Sequence, residues 1–125
     1  MKTKFKFNEK YNEYVATINN IKVYVKELDE KIVNYAEDLV KKYANNLDKI
    51  VGFMLNSNVF NNESGIYKNV SKEKLLKSLN DPCFRLTSNK HCEIIYYNHT
   101  LDKENIISFE VGGVYEKLAY LSING

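Results

Sequence analysis

Asp29 to Ser57 reads DEKIVNYAEDLVKKYANNLDKIVGFMLNS, and within it Ile32, Ala36, Leu39, Tyr43, Leu47, Ile50 and Met54 recur at intervals of three and four residues. That spacing lays them along one face of a long α-helix. Val33, Val40, Ala44, Val51 and Leu55 widen the apolar face, whereas Lys31, Asn34, Glu37, Asp38, Lys41, Lys42 and Asp48 make its wet side. Asp29 suits the N-cap, Leu28 and Val33 can close a hydrophobic staple around it, and Glu30 complements the helix dipole. Asn45-Asn46 is where such a helix would kink or split.

On the N-terminal side the period changes to two. Tyr14, Ala16 and Ile18 alternate before Asn19-Asn20, and Ile21, Val23 and Val25 alternate after it. Two residues that tolerate positive φ between such runs predict a two-residue β-hairpin. This register pairs Ile18 with Ile21, Ala16 with Val23 and Tyr14 with Val25, all on one face, and turns Thr17, Lys22 and Tyr24 the other way. Phe5 and Phe7 suggest one more short strand before it.

On the C-terminal side, the Asn-rich segment from Asn56 to Asn69, with Gly65, has no period and reads as a surface connection. Ser71 begins a shorter helix through Leu79, with Val70 and Leu75 as its staple and Leu75, Leu76 and Leu79 as its buried side, ending at Asn80-Asp81-Pro82. Alternation then returns. A loop at Ser88-Asn89-Lys90 sets Phe84 and Leu86 against Ile94 and Cys92, and Arg85 opposite Glu93 as a cross-strand ion pair. Ile107, Phe109 and Val111 form the next strand, Gly112-Gly113 a turn, and Leu118, Tyr120, Leu121 and Ile123 the last strand. The alternation slips near Tyr120, which points to a bulge or a strand buried on both sides. Tyr115 is also placed in a strand by this reading. The predicted fold is α+β in one domain over residues 1–125: an antiparallel sheet with one long and one short helix packed on one face, a two-layer sandwich.

Composition narrows function by exclusion. With 44% hydrophobic and 27% charged residues the chain of 125 is ordinary for a globular protein. Arg85 is its only arginine, and abundant Lys, Asn, Ile and Tyr suggest the AT-rich codons of a low-GC bacterium. The net charge of +2 is dispersed, so the concentrated basic face of a nucleic-acid binder is missing. Neither an apolar export signal nor a membrane-length apolar run occurs, which predicts a cytoplasmic protein. Cys83 and Cys92 fall on opposite faces of their hairpin and are expected as reduced thiols.

The phosphate-binding, dinucleotide-binding, nucleophile-elbow and zinc signatures are all missing from the sequence. His91, Cys92, Glu93, His99 and Asp102 are the one concentration of reactive residue types. Alternation separates His91 and Glu93 from Cys92, so a zinc site from these neighbours fails on geometry. His91 shares a face with Cys83, about two rungs away. No catalytic residue, cofactor or metal is therefore expected. The loop from Asn98 to Asn105 is a candidate binding loop, or else a turn in which Asn98 and Asp102 cap local backbone groups. Ten tyrosines stand out. Tyr96 and Tyr97 must face opposite ways, and an exposed tyrosine on a sheet anchors protein partners at small entropic cost.

The segments Glu93–Asp102 (EIIYYNHTLD), Asn105–Val111 (NIISFEV) and Tyr120–Gly125 (YLSING) resemble the tail of small uncharacterised bacterial α+β domains linked with polymorphic-toxin immunity loci. The resemblance implies an α+β fold and an immunity role, and carries no active site with it. The dispersed charge departs from the acidic surface expected of an inhibitor of a cationic nuclease. The expectation is a non-enzymatic protein-binding domain that occludes a toxin encoded nearby through Tyr24, Tyr97, His99 and Asp102, with no nucleic-acid or membrane partner. A small ligand-binding domain or enzyme using His91, Cys83 or His99 is a second reading, and a homodimer joined through edge strands a third.

Overall fold

Asn19 and Asn20 both take positive φ, 48° and 67°, a backbone that asparagine tolerates better than most side chains. Their turn joins strands β2 (Glu13–Ile18) and β3 (Ile21–Val25) in the expected register, Ile18 opposite Ile21, Ala16 opposite Val23 and Tyr14 opposite Val25. The computed structural model describes residues 4–61 and 66–124; Gly65 and Gly125 lie outside them. A short first strand, β1 (Lys6–Asn8), pairs with β2 and sets Phe7 edge-on to the Tyr14 ring.

The C-terminal half supplies β4 (Cys83–Leu86), β5 (His91–Tyr96), β6 (Ile106–Gly112) and β7 (Lys117–Asn124). The seven strands of the described residues join one sheet in chain order. The sheet is mixed, not wholly antiparallel as predicted, because β3 and β4 run parallel. The cause is the helical segment between them, which returns the chain to the end of the sheet where β3 began, as a parallel pair requires. The protein is thus a mixed α and β fold dominated by its sheet.

Among the described residues of that crossover are four helices: α1 (Glu30–Lys42), α2 (Leu47–Leu55), α3 (Asn58–Asn61) and α4 (Lys72–Ser78). Asp29 caps α1 by accepting from the Ile32 N–H at 2.8 Å, and Ser71 caps α4 by accepting from the Lys74 N–H at 3.1 Å. The predicted long helix is split, with a 3-10 turn at Ala44–Asn46 between α1 and α2. There the Tyr43 N–H bonds to the Val40 carbonyl and leaves the Leu39 carbonyl without its helical donor. Tyr115 fills the vacancy, its hydroxyl donating to the Leu39 carbonyl at 2.5 Å.

Two further expectations are corrected. Tyr115 lies in the β6–β7 turn and not in a strand. The segment from Asn56 to Asn69 is more than a surface connection, because it contains α3 and buries Phe60 and Tyr67 with ring centroids 5.4 Å apart. The slip near Tyr120 is a β-bulge: partners shift between Ser108 and Glu110, and Tyr120 takes φ 57°. Gly113 turns the chain at φ +63°, where an added Cβ would strike the Glu116 side chain.

One core lies between the helices and one sheet face. Val23, Phe84, Ile94 and Ile107 from the sheet and Ala36, Leu39, Ile50 and Met54 from the helices are fully buried in it. Ring contacts of Tyr43 with Phe84 and of Phe53 with Phe109 join the two layers. Among the described residues no helix is long and apolar enough to cross a membrane.

Candidate functional site

Alternation that buries Val23, Phe84 and Ile94 on the helix side must turn Tyr24, Cys83, Arg85 and Glu93 to the opposite face. Tyr24, Arg85, Glu93 and Glu110 are successive cross-strand partners there. The predicted Arg85–Glu93 alignment is therefore present, but among the described residues the ion pair itself goes elsewhere. Arg85 reaches past β3 to Glu13, where Nη1 donates to a carboxylate oxygen at 2.6 Å. On the way it lies over the Tyr24 ring, its guanidinium carbon 4.9 Å from the centroid. Stacking and ion pairing together hold a long side chain in one place.

Around this pair lies a groove of about 300 Å³, walled by Tyr11, Tyr24 and Tyr97 and floored by Cys83 and Ile95. It continues past Tyr24 and Tyr97 into a second hollow of about 330 Å³ bounded by Lys22, Asp81 and Asn98. A third hollow, about 560 Å³, lies beyond Glu13 and Arg85 toward the start of α1. Tyr97 is 51% exposed and Tyr11 59%, unusual for aromatic residues and suited to contact with a partner.

Comparison with family models, with curated proteins and with solved structures gave no match.

Two of the four residues expected to meet a partner, Tyr24 and Tyr97, come together in the groove. His99 and Asp102 do not join them. His99 is only 5% exposed. Its Nδ1 accepts from the Leu101 N–H at 3.1 Å, which places the ring proton on Nε2, the donor to the Asn105 carbonyl at 2.7 Å. Asp102 gathers the same loop: one oxygen accepts from the Glu104 and Asn105 N–H groups, the other from the Asn105 amide and the Tyr67 hydroxyl. Desolvation raises its pKa, but these donors outweigh it and hold the carboxyl at about 2. The Thr100 N–H bonds to the Ser78 carbonyl and fastens the loop to α4. Residues 98–105 are thus a hydrogen-bonded clamp, with His99 and Asp102 consumed inside it.

The reactive residues stay apart. Cys83 faces the groove, while Cys92 is buried on the helix side. Burial pushes the Cys83 thiol up, and the nearby Lys22 and Arg85 only partly offset it, so it lacks the character of a ready nucleophile. His91 is exposed, with Nδ1 3.3 Å from the Ser88 hydroxyl. Among the described residues no cluster of three His, Cys, Asp or Glu could hold a metal. Sequence reasoning missed Glu13 and Tyr11 as groove residues. Nothing local marks them, since Glu13 at the start of β2 and Tyr11 in the turn before it reach the site only because β4 pairs with the far side of β3.

Proposed function

We propose that this is a non-enzymatic protein-binding domain that docks a partner on the open face of its sheet, as an immunity protein docks a toxin. The observation that carries this reading is the groove itself: Tyr11, Tyr24 and Tyr97 stand around an arginine already fixed by stacking and an ion pair. Tyrosine and arginine are among the residue types that dominate protein-binding energy; tyrosine buries a large area with few rotamers to freeze, and Arg85 is already held by Tyr24 and Glu13. The thiol pushed up by burial favours binding over a cysteine-dependent reaction. A cytoplasmic setting and a toxin partner encoded nearby are part of the proposal, and the second of these rests on the C-terminal resemblance.

A homodimer through edge strands has less in its favour. One edge, β1, is three residues long, and the other, β7, is interrupted by the bulge at Tyr120, the device that blunts an edge against pairing.

The test is capture of partners from the native host by tagged protein, in parallel with a Tyr24→Ala, Tyr97→Ala double variant. A stoichiometric protein encoded by a neighbouring gene, held by the natural chain and lost from the variant, is the expected result. Equal retention by both chains removes the groove from the proposal; no stoichiometric partner removes the binding role.

A further inference from the structure

The Glu13–Arg85 pair is lopsided in a way that defines what the groove can receive. Glu13 has only 5% of its side chain exposed, whereas Arg85 has 35%. The pair therefore shows its cationic half outward. A guanidinium carries five N–H donors, and the one side-chain hydrogen bond that Arg85 makes among the described residues is the Nη1 contact with Glu13. Glu93, its cross-strand neighbour, forms no ion pair with it within 4 Å, and Asp81 lies at the far end of the groove beside Lys22. Open donors on a side chain held over the Tyr24 ring suit a carboxylate, which a planar guanidinium can bind through two parallel hydrogen bonds.

We propose that the groove selects an acidic side chain, Asp or Glu beside an apolar residue, on the docking protein, with Arg85 receiving the carboxylate and Tyr24, Tyr97 and Ile95 receiving the apolar neighbour. This deepens the docking reading and rests on it. Arg85 itself identifies the occupant: it is the exposed half of a pair whose carboxylate is buried, while at the far end of the groove the exposed Lys22 and Asp81 offset each other. Glu93, the cross-strand neighbour of Arg85 on the same face, repels an incoming carboxylate, so its removal sharpens the preference.

The experiment is a titration of isotopically labelled protein with N-acetyl-phenylalanyl-glutamate amide, with its glutamine counterpart and with acetate, followed through the backbone amide signals. The expected result is saturable shifts centred on Tyr24, Cys83, Arg85 and Tyr97 for the glutamate peptide, with the glutamine peptide about tenfold weaker. Glu93→Gln should tighten the glutamate peptide. The double variant Glu13→Gln, Arg85→Gln, which leaves neither charge alone in the fold, should bind both peptides alike; its own spectrum reports that it is folded. Equal shifts from both peptides, or none, overturn the proposal, and so does acetate acting at the same concentration as the glutamate peptide, which marks a general anion site. A negative titration alongside partner capture that depends on Tyr24 and Tyr97 strikes only the acidic preference; failed capture strikes the docking role.

Discussion

The two faces of the sheet use the same residue for opposite purposes. On the helix side, tyrosine hydroxyls bind the layers together: Tyr35 donates to the Gly113 carbonyl at 2.7 Å, Tyr43 and Tyr96 share a hydrogen bond of 2.7 Å, and Tyr115 caps Leu39. Lys49 adds a bond to the Tyr115 carbonyl, so α1 and α2 both grip the β6–β7 turn. On the open side, Tyr11 and Tyr97 stay largely exposed around Arg85. A tyrosine is structural where its hydroxyl has found a partner inside the fold, and available where its ring stands in water.

The strongest way to break this contrast is alkali. Burial is the leading cause that raises the pKa of Tyr35, Tyr67, Tyr96 and Tyr115, and it pushes Tyr43 up to about 12. A group whose folded pKa is raised stabilises the fold below its unfolded value, here 10.0, and loses that contribution as pH climbs above it. Cooperative loss of far-ultraviolet ellipticity above pH 10, in step with a late wave of phenolate absorbance, is expected. Ionisation of all ten tyrosines in one ordinary step, with the fold intact, would contradict it.

Next in size is the core. Phe84→Ala empties a fully buried site beside the Tyr43 ring and should cost about 3 to 5 kcal/mol in chemical denaturation. A smaller loss would show that the helix layer collapses readily onto the sheet.

The clamp comes third. Asp102→Ala leaves the Tyr67 hydroxyl and several loop donors without their acceptor, at a cost of about 1 to 3 kcal/mol. Because the Asp102 carboxyl is held down to about 2, its contribution is present above the ordinary value of 3.8 and fades as pH falls toward 2. The difference between natural and variant chains should shrink in that acid window. A constant difference would assign the effect to packing instead.

How far the sequence disclosed these regions follows from the range of the interactions. The hairpin at Asn19-Asn20 and the Asp29 and Ser71 caps depend on neighbours a few residues away, and alternation and turn chemistry reveal them. Near Tyr120 alternation shows the slip and leaves a bulge and a strand buried on both sides as alternatives, which the pairing of β6 with β7 decides. The β3–β4 parallel pair joins residues across the whole helical segment, and no local pattern reports which end of the sheet the chain returns to. For the site, the opposite orientation of Tyr96 and Tyr97 was readable from alternation, and Tyr96 is indeed buried while Tyr97 is exposed. His99 misled because a polar loop residue resembles a surface group until its two nitrogens are seen bonded within the loop. Arg85 was assigned to Glu93 by register, but register fixes Cα partners only, and a long side chain can reach the next strand but one.

The smallest expected effect separates the faces most cleanly. Tyr97 stands just past the end of β5, half exposed, and forms no hydrogen bond or ring contact among the described residues. Tyr97→Ala removes little that is packed, so stability should change by no more than about 0.5 kcal/mol. Tyr96, its immediate neighbour, is fully buried and bonded to Tyr43; Tyr96→Ala should approach the cost of emptying the Phe84 site, about 3 kcal/mol or more. Denaturant midpoints of the two variants, measured side by side, test whether adjacent residues divide support from display. If Tyr97→Ala proved as damaging as Tyr96→Ala, the groove would belong to the scaffold, and its tyrosines could not be free to meet a partner.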